Sequence, residues 1–588
     1  MRQFGFAIVG LCLVGAVVFG LTYPHTKSSM SEPKDTAEAP LVFDGSHPWF
    51  VDITEKVGLK FVHEAGLTGT YFMPQQVGSG GAFLDFNNDG RLDIYLLQNG
   101  GPKGPNNCLY QQMPNGTFQD VSKGSGLDIP GYNMGVAVAD VNNDGWPDVL
   151  VTQYDGVKLF LNTAGKGETA FKDVTKESGL NNPAWGTSAA FFDYDRDGWL
   201  DLVVVSYVDY DPTWTCPGPT GKLDFCAPKT FKGRVSRLFH NLTGKQQGTA
   251  NSPGVTFADV TESSGLGNAA GPGLGVVCAD FNGDRWPDIF IANDGAANRL
   301  WINQKNGKFK EEAVQRGVAY NVMAQAQAGM GVALGDVDGD GLFDLFVSHL
   351  SEETHTLWKQ NPPGEFQDQT ARSRVTNSHW RGTGFGTILA DFDHDGALDL
   401  AIANGRVFAR PKPTDPALGP FWSFYGDRNQ LFRGNGKGQF ADVSLETPDF
   451  CERYNMGRGL VRGDIDKDGA QDLLVTTIAG PARLFRNVAG KKGHWLEVQA
   501  LDAGNKRDAY GAEVRVRTKG RTWVSWLNPS ESYLCSGEPI VHFGLGDTAK
   551  VDGIEVLWPD GSPAELFPGC GVDRRIILKK GGGETTRK

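Results

Sequence analysis

The residues of this chain best suited to chemistry are carboxylates and amides set at one spacing, seven times over. "DFNNDGRLD" at 85–93 places Asp85, Asn87, Asp89 and Asp93 at its first, third, fifth and ninth positions. "DVNNDGWPD" at 140–148 repeats this with Asp140, Asn142, Asp144 and Asp148, and "DYDRDGWLD" at 193–201 with Asp193, Asp195, Asp197 and Asp201. "DFNGDRWPD" at 280–288 supplies Asp280, Asn282, Asp284 and Asp288; "DVDGDGLFD" at 336–344 supplies Asp336, Asp338, Asp340 and Asp344. "DFDHDGALD" at 391–399 and "DIDKDGAQD" at 464–472 add Asp391, Asp393, Asp395, Asp399, Asp464, Asp466, Asp468 and Asp472. In a tight loop, side chains one, three and five can turn their oxygens to one point, and Gly at six permits the positive φ that reverses the chain. The carbonyl at seven and the carboxylate at nine can complete a shell. Hard oxygen donors in that number suit Ca²⁺, which takes six to eight of them at about 2.3–2.6 Å.

An EF-hand shares the early ligands but ends with Glu at position twelve between two helices. Here the last candidate is Asp at nine and the flanks are apolar, strand-like runs such as "GAFL" before and "IYLL" after the first loop. Polar hairpin turns without metal are the plain alternative, since Asp, Asn and Gly are common in turns. A turn alone does not require an acid at position nine every time, and crowded carboxylates without compensation are unfavourable. The expectation is therefore up to seven Ca²⁺, which would carry the formal charge of −13 to about +1. The loop at 280–288 departs from the pattern, with Arg285 where the others have Gly. Arg at positive φ costs about 1 kcal/mol or more, so this loop is expected to bind weakly or to take another shape.

The loops begin 55, 53, 87, 56, 55 and 73 residues apart, a unit of about 55 residues with two insertions. Each unit also holds an "FxDV"-type segment, as in "AFKDVT", and an "LFxN"-type segment, as in "RLFHN". Four short β segments per unit in seven units point to a seven-bladed β-propeller. The last "RLFRN", at 483–487, lacks an "FxDV" partner after it, and the first "WFVDIT", at 49–54, lacks one before it. Residues 50–53 are therefore expected to pair antiparallel with 483–485 and close the ring without exposed edges.

Residues 49–487 resemble FG-GAP/VCBS repeats, the calcium-loop propeller repeats also found in integrin α chains, on the seven loops and on inner strands such as "GSGGAFLD", "GLGVVCAD" and "GMGVALGD". Residues 493–580 resemble the ASPIC/UnbV domain through "RDAYGAEVRV", "SYLCSGEP", "HFGLGD" and "VLWPDG". Together the parts resemble bacterial relatives of cartilage acidic protein. The resemblance implies an exported calcium-binding propeller with integrin-α-like loops at 47–488, a small β-sandwich-like domain at 493–580 and a polar tail at 581–588. It implies no established reaction.

The N-terminus bears an uncharged, mostly apolar run at 4–21 after Arg2, so 1–21 reads as a signal peptide or membrane anchor and 22–46 as a linker. Either way the body is expected outside the cytoplasm: secreted, periplasmic or N-terminally membrane-anchored. The acidic balance argues against nucleic acid as a partner. Of seven cysteines beyond the leader, Cys216 and Cys226 are expected to staple a Pro-rich insertion, and Cys535 with Cys570 is a further candidate pair. Asn241-Leu242-Thr243 is a glycosylation sequon. His349 and His355 with Glu352 and Glu353 could face a metal, although a solvated polar loop accounts for them as well. Trp214, Trp380, Trp422 and Tyr425 in the insertions could stack on a sugar or simply pack.

No G-x-S-x-G, H-E-x-x-H or P-loop is present. The leading reading is a non-enzymatic, calcium-binding extracellular scaffold for a protein or glycan. The alternative is a calcium-dependent polysaccharide-active enzyme, which would need an acid/base pair in one cleft. An electron-transfer propeller comes third, without a visible cofactor motif.

Overall fold

Alternating apolar residues between turn signals make strands, and the strands here assemble repeat by repeat. The structure is a computed structural model that describes residues 48–166, 170–246, 254–489 and 493–585. The expected leader and linker at 1–46 lie outside the described residues. Among the described residues the fold is all-β, and no helix exceeds four residues. None is long and apolar enough to cross a membrane.

Six repeats fold as four antiparallel strands in sequence order, and the last takes its fourth strand from Phe50–Asp52. The fourth repeat is representative: Gly273–Ala279, Asp288–Asn293, Arg299–Asn303 and Phe309–Glu311. Among the described residues there are seven of these sheets, and each aspartate loop joins the first strand of its sheet to the second. The first strands, from Gly81–Leu84 through Gly457–Gly463, each lie against the next, and the last lies against the first. This closed, propeller-like ring brings backbones close around its axis. A Cβ on Gly331 would stand 1.8 Å from the Phe385 carbonyl of the next sheet, so only glycine fits there. Between neighbouring sheets lies buried apolar surface, such as Val203 and Leu238 of the third against Ile289 and Trp301 of the fourth. Burying such side chains stabilises by about 1.5–3 kcal/mol each.

The ring closes as the unpaired segments required. Phe50–Asp52 pairs antiparallel with Arg483–Asn487, with Phe50 opposite Asn487 and Asp52 opposite Phe485. Arg483 also pairs with Asp52 at 2.7 Å.

The two insertions leave from the strand ends opposite the aspartate loops, because they follow second strands. They meet each other. Asp224 of the first accepts the Tyr425 hydroxyl at 2.7 Å and the Ala409 N–H at 2.9 Å from the second. Phe225 stacks on Trp422 with centroids 6.2 Å apart. The Cys216–Cys226 disulfide forms, as the sequence suggested. Cys535 and Cys570 do not pair: Cys535 is buried inside the ring and Cys570 is half-buried elsewhere, both as free thiols.

Residues beyond 493 form two sheets that share one apolar cluster, including Val498 and Val514, with the second and third sheets of the ring. Between their strands, residues 530–536 leave the C-terminal sheets and enter the ring's centre. Ser536 pairs with Ala82 of the first sheet, and Ser532 exchanges backbone hydrogen bonds with Val332 of the fifth. Tyr533 is fully buried, and its hydroxyl donates to the Val77 carbonyl at 3.0 Å. His47–Lys588 accordingly forms one unit.

Candidate functional site

The seven aspartate loops share one hydrogen-bond design. The carboxylate at position one accepts the N–H groups of positions five and six: Asp85 takes Asp89 at 2.9 Å and Gly90 at 2.6 Å. Position six lies at positive φ in every loop, from 72° at Arg285 to 91° at Gly145. Position four does too, including Asn88, Asn143, Arg196, His394 and Lys467, a feature the sequence reading missed. Asn88, Asn143, Gly283 and Gly339, residue types that favour such angles, give the hint in the sequence.

Position nine has a task of its own. Asp288 accepts the Phe281 N–H at 3.1 Å and the Asn303 N–H at 2.8 Å, tying its loop to the third strand. The equivalent pair of bonds recurs at Asp93, Asp148, Asp201, Asp344, Asp399 and Asp472. An acid at nine is therefore required by the fold, whether or not a cation is present. The amide ending several third strands extends this clamp. Asn303 donates its side-chain N–H to the Pro287 carbonyl and to the Tyr194 carbonyl of the preceding sheet, as Asn162, Asn241 and Asn487 do in theirs. Asn241, the sequon residue, is 1% exposed and committed to this bridge, so it is not a surface acceptor for a glycan.

Four loops bring three carboxylates to within 4.8 Å of one another: Asp193, Asp195 and Asp201; Asp336, Asp338 and Asp340; Asp391, Asp393 and Asp399; Asp464, Asp466 and Asp472. Asp195 and Asp197 also gather with His240. The loops at 85, 140 and 280 carry Asn at position three, and there its amide donates to the carboxylate at five, as Asn87 does to Asp89 at 2.9 Å. Burial pushes Asp93, Asp201 and Asp344 up to about 8, and Asp193 and Asp464 to about 7. Asp391 and Asp399 are likewise raised, by burial and by the neighbouring acids. The donor set fits a hard divalent cation, which would favour the ionised forms.

Protein cations already stand beside several of these groups. Arg433 reaches Asp393 at 3.1 Å and Asp395 at 2.6 Å, Arg486 reaches Asp466 at 2.6 Å, and His240 reaches Asp201 at 3.0 Å. Lys359 contacts Asp338 and Lys305 meets Asp284 at 3.2 Å. Four of these come from the same place, the residue before the last of the third strand: His240, Lys359, Arg433 and Arg486. The sequence marks them too, as the residue before the last in "RLFHN", "TLWKQ", "QLFRG" and "RLFRN".

The loops are also laced together and to the C-terminal sheets. Position four of one loop donates to the carbonyl at position six of the next: Asn88 to Gly145 at 2.9 Å, Asn143 to Gly198 at 3.1 Å, His394 to Gly469 at 3.1 Å. Arg196 contacts the Arg285 carbonyl in the same way. From the C-terminal sheets, Arg507 donates to Asn143 at 2.8 Å, Arg521 to Gly396 at 2.5 Å and His542 to Gly469 at 2.9 Å. Arg285 does not reshape its loop, contrary to one of the two expectations for it. Its N–H bonds Asp280 at 2.6 Å as a glycine's would, and its guanidinium reaches the Ser562 carbonyl at 2.7 Å. That contact accounts for the departure from glycine.

The other candidates resolve differently. His349 is 1% exposed rather than solvated, and its backbone N–H donates to the His355 Nδ1 at 3.0 Å. Glu352 pairs with Arg406, and Glu353 accepts the Ala328 N–H at 2.9 Å, so these four residues do not gather as one ligand set. Trp380 lies under Arg428 at 3.9 Å, Trp422 and Tyr425 pack in the meeting insertions, and Trp214 is exposed.

With this geometry in place, comparison with known proteins is decisive for kinship. FG-GAP-like repeats match residues 85–151, 140–204, 280–347 and 336–402, and the ASPIC and UnbV family matches 502–585. The chain carries FG-GAP repeats and a C-terminal ASPIC/UnbV domain. It is homologous to cartilage acidic protein 1. The Xenopus tropicalis protein of that name is 26% identical over 83% of this chain and 71% of its own length. The Homo sapiens protein is 25% identical over 87% of this chain and 74% of its own length. A T-cell immunomodulatory protein homolog of Plasmodium falciparum (isolate 3D7) is 26% identical over 45% of this chain and 40% of itself. The FG-GAP repeats of this chain are the sheets that carry the aspartate loops, and its ASPIC/UnbV residues are those that dock on the loops and enter the ring.

Proposed function

We propose that this chain is an exported, non-enzymatic, calcium-binding scaffold that displays a protein- or glycan-binding surface outside the cytoplasm. In this reading residues 47–488 form a seven-bladed propeller, 493–580 a sandwich-like cap and 581–588 a tail. Calcium occupies aspartate loops, with one, three, five and nine as side-chain ligands, and stiffens the face on which the cap sits. The observation that carries this reading is that four of the seven loops bring three carboxylates within 4.8 Å of one another. Homology to cartilage acidic protein 1 supports the interaction role.

Melting curves of the exported body in calcium and in chelator test the metal. A cation bound only to the folded state stabilises by about 2.7 kcal/mol at one hundred times its Kd. Identical curves would remove calcium from the proposal. Binding to arrays of extracellular proteins and glycans tests the scaffold, and turnover of a polysaccharide would replace it with an enzyme.

A further inference from the structure

Of the four loops that gather three carboxylates, three hold a lysine or arginine against them. Lys359 contacts Asp338, Arg433 reaches Asp393 and Asp395, and Arg486 reaches Asp466. The fourth, at 193–201, has no such ion pair among the described residues. His240 stands there instead, at the third-strand position that Lys359, Arg433 and Arg486 hold in theirs. An ammonium or guanidinium has no lone pair to give. A neutral imidazole nitrogen has one, and it is a common metal ligand.

His240 is built into this loop. It is 8% exposed, and its Nδ1 lies 3.6 Å from the Asp195 carboxylate and 3.0 Å from that of Asp201. The donor atoms of Asp195, Asp197 and His240 lie within 4.8 Å of one another, as do those of Asp193, Asp195 and Asp201. Among the described residues, no other group of this kind includes a nitrogen donor. Asp195 supplies an independent sign. Its Oδ1 is buried and has no hydrogen-bond partner, which is unfavourable by about 1–3 kcal/mol. Asp201 is committed to the Tyr194 and Asn241 N–H groups, so Asp195, Asp197 and His240 are the side chains left to turn to an ion, with Asp193 closing the group. On the far side of the ring Nε2 meets the Lys245 ammonium at 3.1 Å. Lys245 is exposed, so it can turn to solvent when the ring proton moves to Nε2.

We propose that loop 193–201 and His240 together hold a divalent cation of the zinc class, where the other loops hold calcium. Zinc takes histidine nitrogen and aspartate oxygen together at about 2.0–2.2 Å, in sets of three or four protein ligands. Calcium takes oxygen alone. Donors across a tetrahedral zinc stand about 3.3 Å apart, close to the 3.6 Å between His240 and Asp195. This inference rests on the reading of the loops as metal sites and names the metal class of one of them.

Calorimetric titration of the whole exported chain with Zn²⁺, in saturating Ca²⁺, and separately with Ca²⁺ alone, provides the test. One tightly bound Zn²⁺ per chain is expected. His240→Lys installs the residue type of the fifth sheet and should weaken that zinc by about a hundredfold or more, with the calcium isotherm unchanged. Asp195→Asn, the residue type at the same position of loops 85–93, 140–148 and 280–288, should also weaken it, and decides if His240→Lys fails to fold. Lys245→Ala should not weaken it. With Co²⁺ as a probe, visible absorption of a low-coordinate nitrogen and oxygen site should appear in the wild type and vanish in His240→Lys. Zinc binding that survives the folded variants places the ion elsewhere and overturns the proposal. Calcium binding without zinc also overturns it and leaves the calcium reading standing. Zinc binding lost in the variants, without calcium binding, keeps the proposal and removes calcium from the other loops. Neither ion bound removes both.

Discussion

Asn303 donates its backbone N–H to Asp288 at 2.8 Å and its side-chain N–H to the Tyr194 carbonyl of the preceding sheet at 2.9 Å. One residue thereby ties an aspartate loop to its own third strand and to its neighbour around the ring. The loops are structural joints first, and any cation they hold acts on joints already made.

Asn303→Ala should lower the unfolding free energy by about 1–3 kcal/mol, because the Tyr194 and Pro287 carbonyls lose a donor in a buried setting. Urea titration measures it. Asn306→Ala, in an exposed turn of the same sheet, should change little. Equal effects would mean that the bridge adds nothing.

Removing the competing protein cation should improve a metal loop. Arg433→Gln frees Asp393 and Asp395, so calorimetric titration should show tighter calcium binding, by about tenfold if one ion pair worth about 1.4 kcal/mol is displaced. An unchanged or weakened isotherm would show that Arg433 belongs to the loaded site. Among the loops, 336–344 should bind more tightly than 280–288, because it keeps Gly341 and four Asp.

Asp340→Ala should lower the melting temperature more in calcium than in chelator, where only its hydrogen bond from the Leu342 N–H is lost. It should spare ligand binding by loops distant from 336–344. Loss of binding in a folded variant would tie that loop to the ligand.

Tyr533→Ala should destabilise the whole body by about 3–5 kcal/mol, the range for emptying a buried aromatic site. The ring and the C-terminal sheets should unfold in one transition, because 530–536 belongs to both. Two separated transitions in calorimetry would contradict that.

Acid should remove the share of stability that buried neutral histidines contribute, against the opposite contribution of loop aspartates raised to about 7–8. His63 and His349 are lowered to about 3 and His355 to about 4, each chiefly by burial. Between those values and about 6.5 the unfolded chain binds the protons and the folded chain does not, so stability rises with pH by up to about 1.4 kcal/mol per pH unit per group. The slope of urea stability against pH between 4.5 and 6.5 should be less positive in His349→Gln than in the wild type, whatever the loop aspartates add to both. Parallel slopes would remove His349 from the account.

The amino-acid sequence by itself determined the repeat, the four-strand unit, the loop positions and the closing pair of Phe50–Asp52 with Arg483–Asn487. These follow from local spacing: alternation makes strands, glycine and aspartate make the turn, and an unpaired strand at each end must find the other. It also determined the Cys216–Cys226 bond, since ten residues of Pro-rich loop bring the thiols near each other. Only the tertiary structure decided that Asp288 and its equivalents clamp third strands, that His240, Lys359, Arg433 and Arg486 point at loop carboxylates, and that Arg285 reaches Ser562. It decided, too, that Tyr533 enters the ring and that Asp224 meets Tyr425 across it. The Arg285, Tyr533 and Asp224 contacts join residues about two hundred or more positions apart, while the clamps and the cation pairs join the loop and third strand of one sheet, which only the hairpin register brings side by side. No local period records them, because a side chain's partner across the ring depends on how seven sheets close.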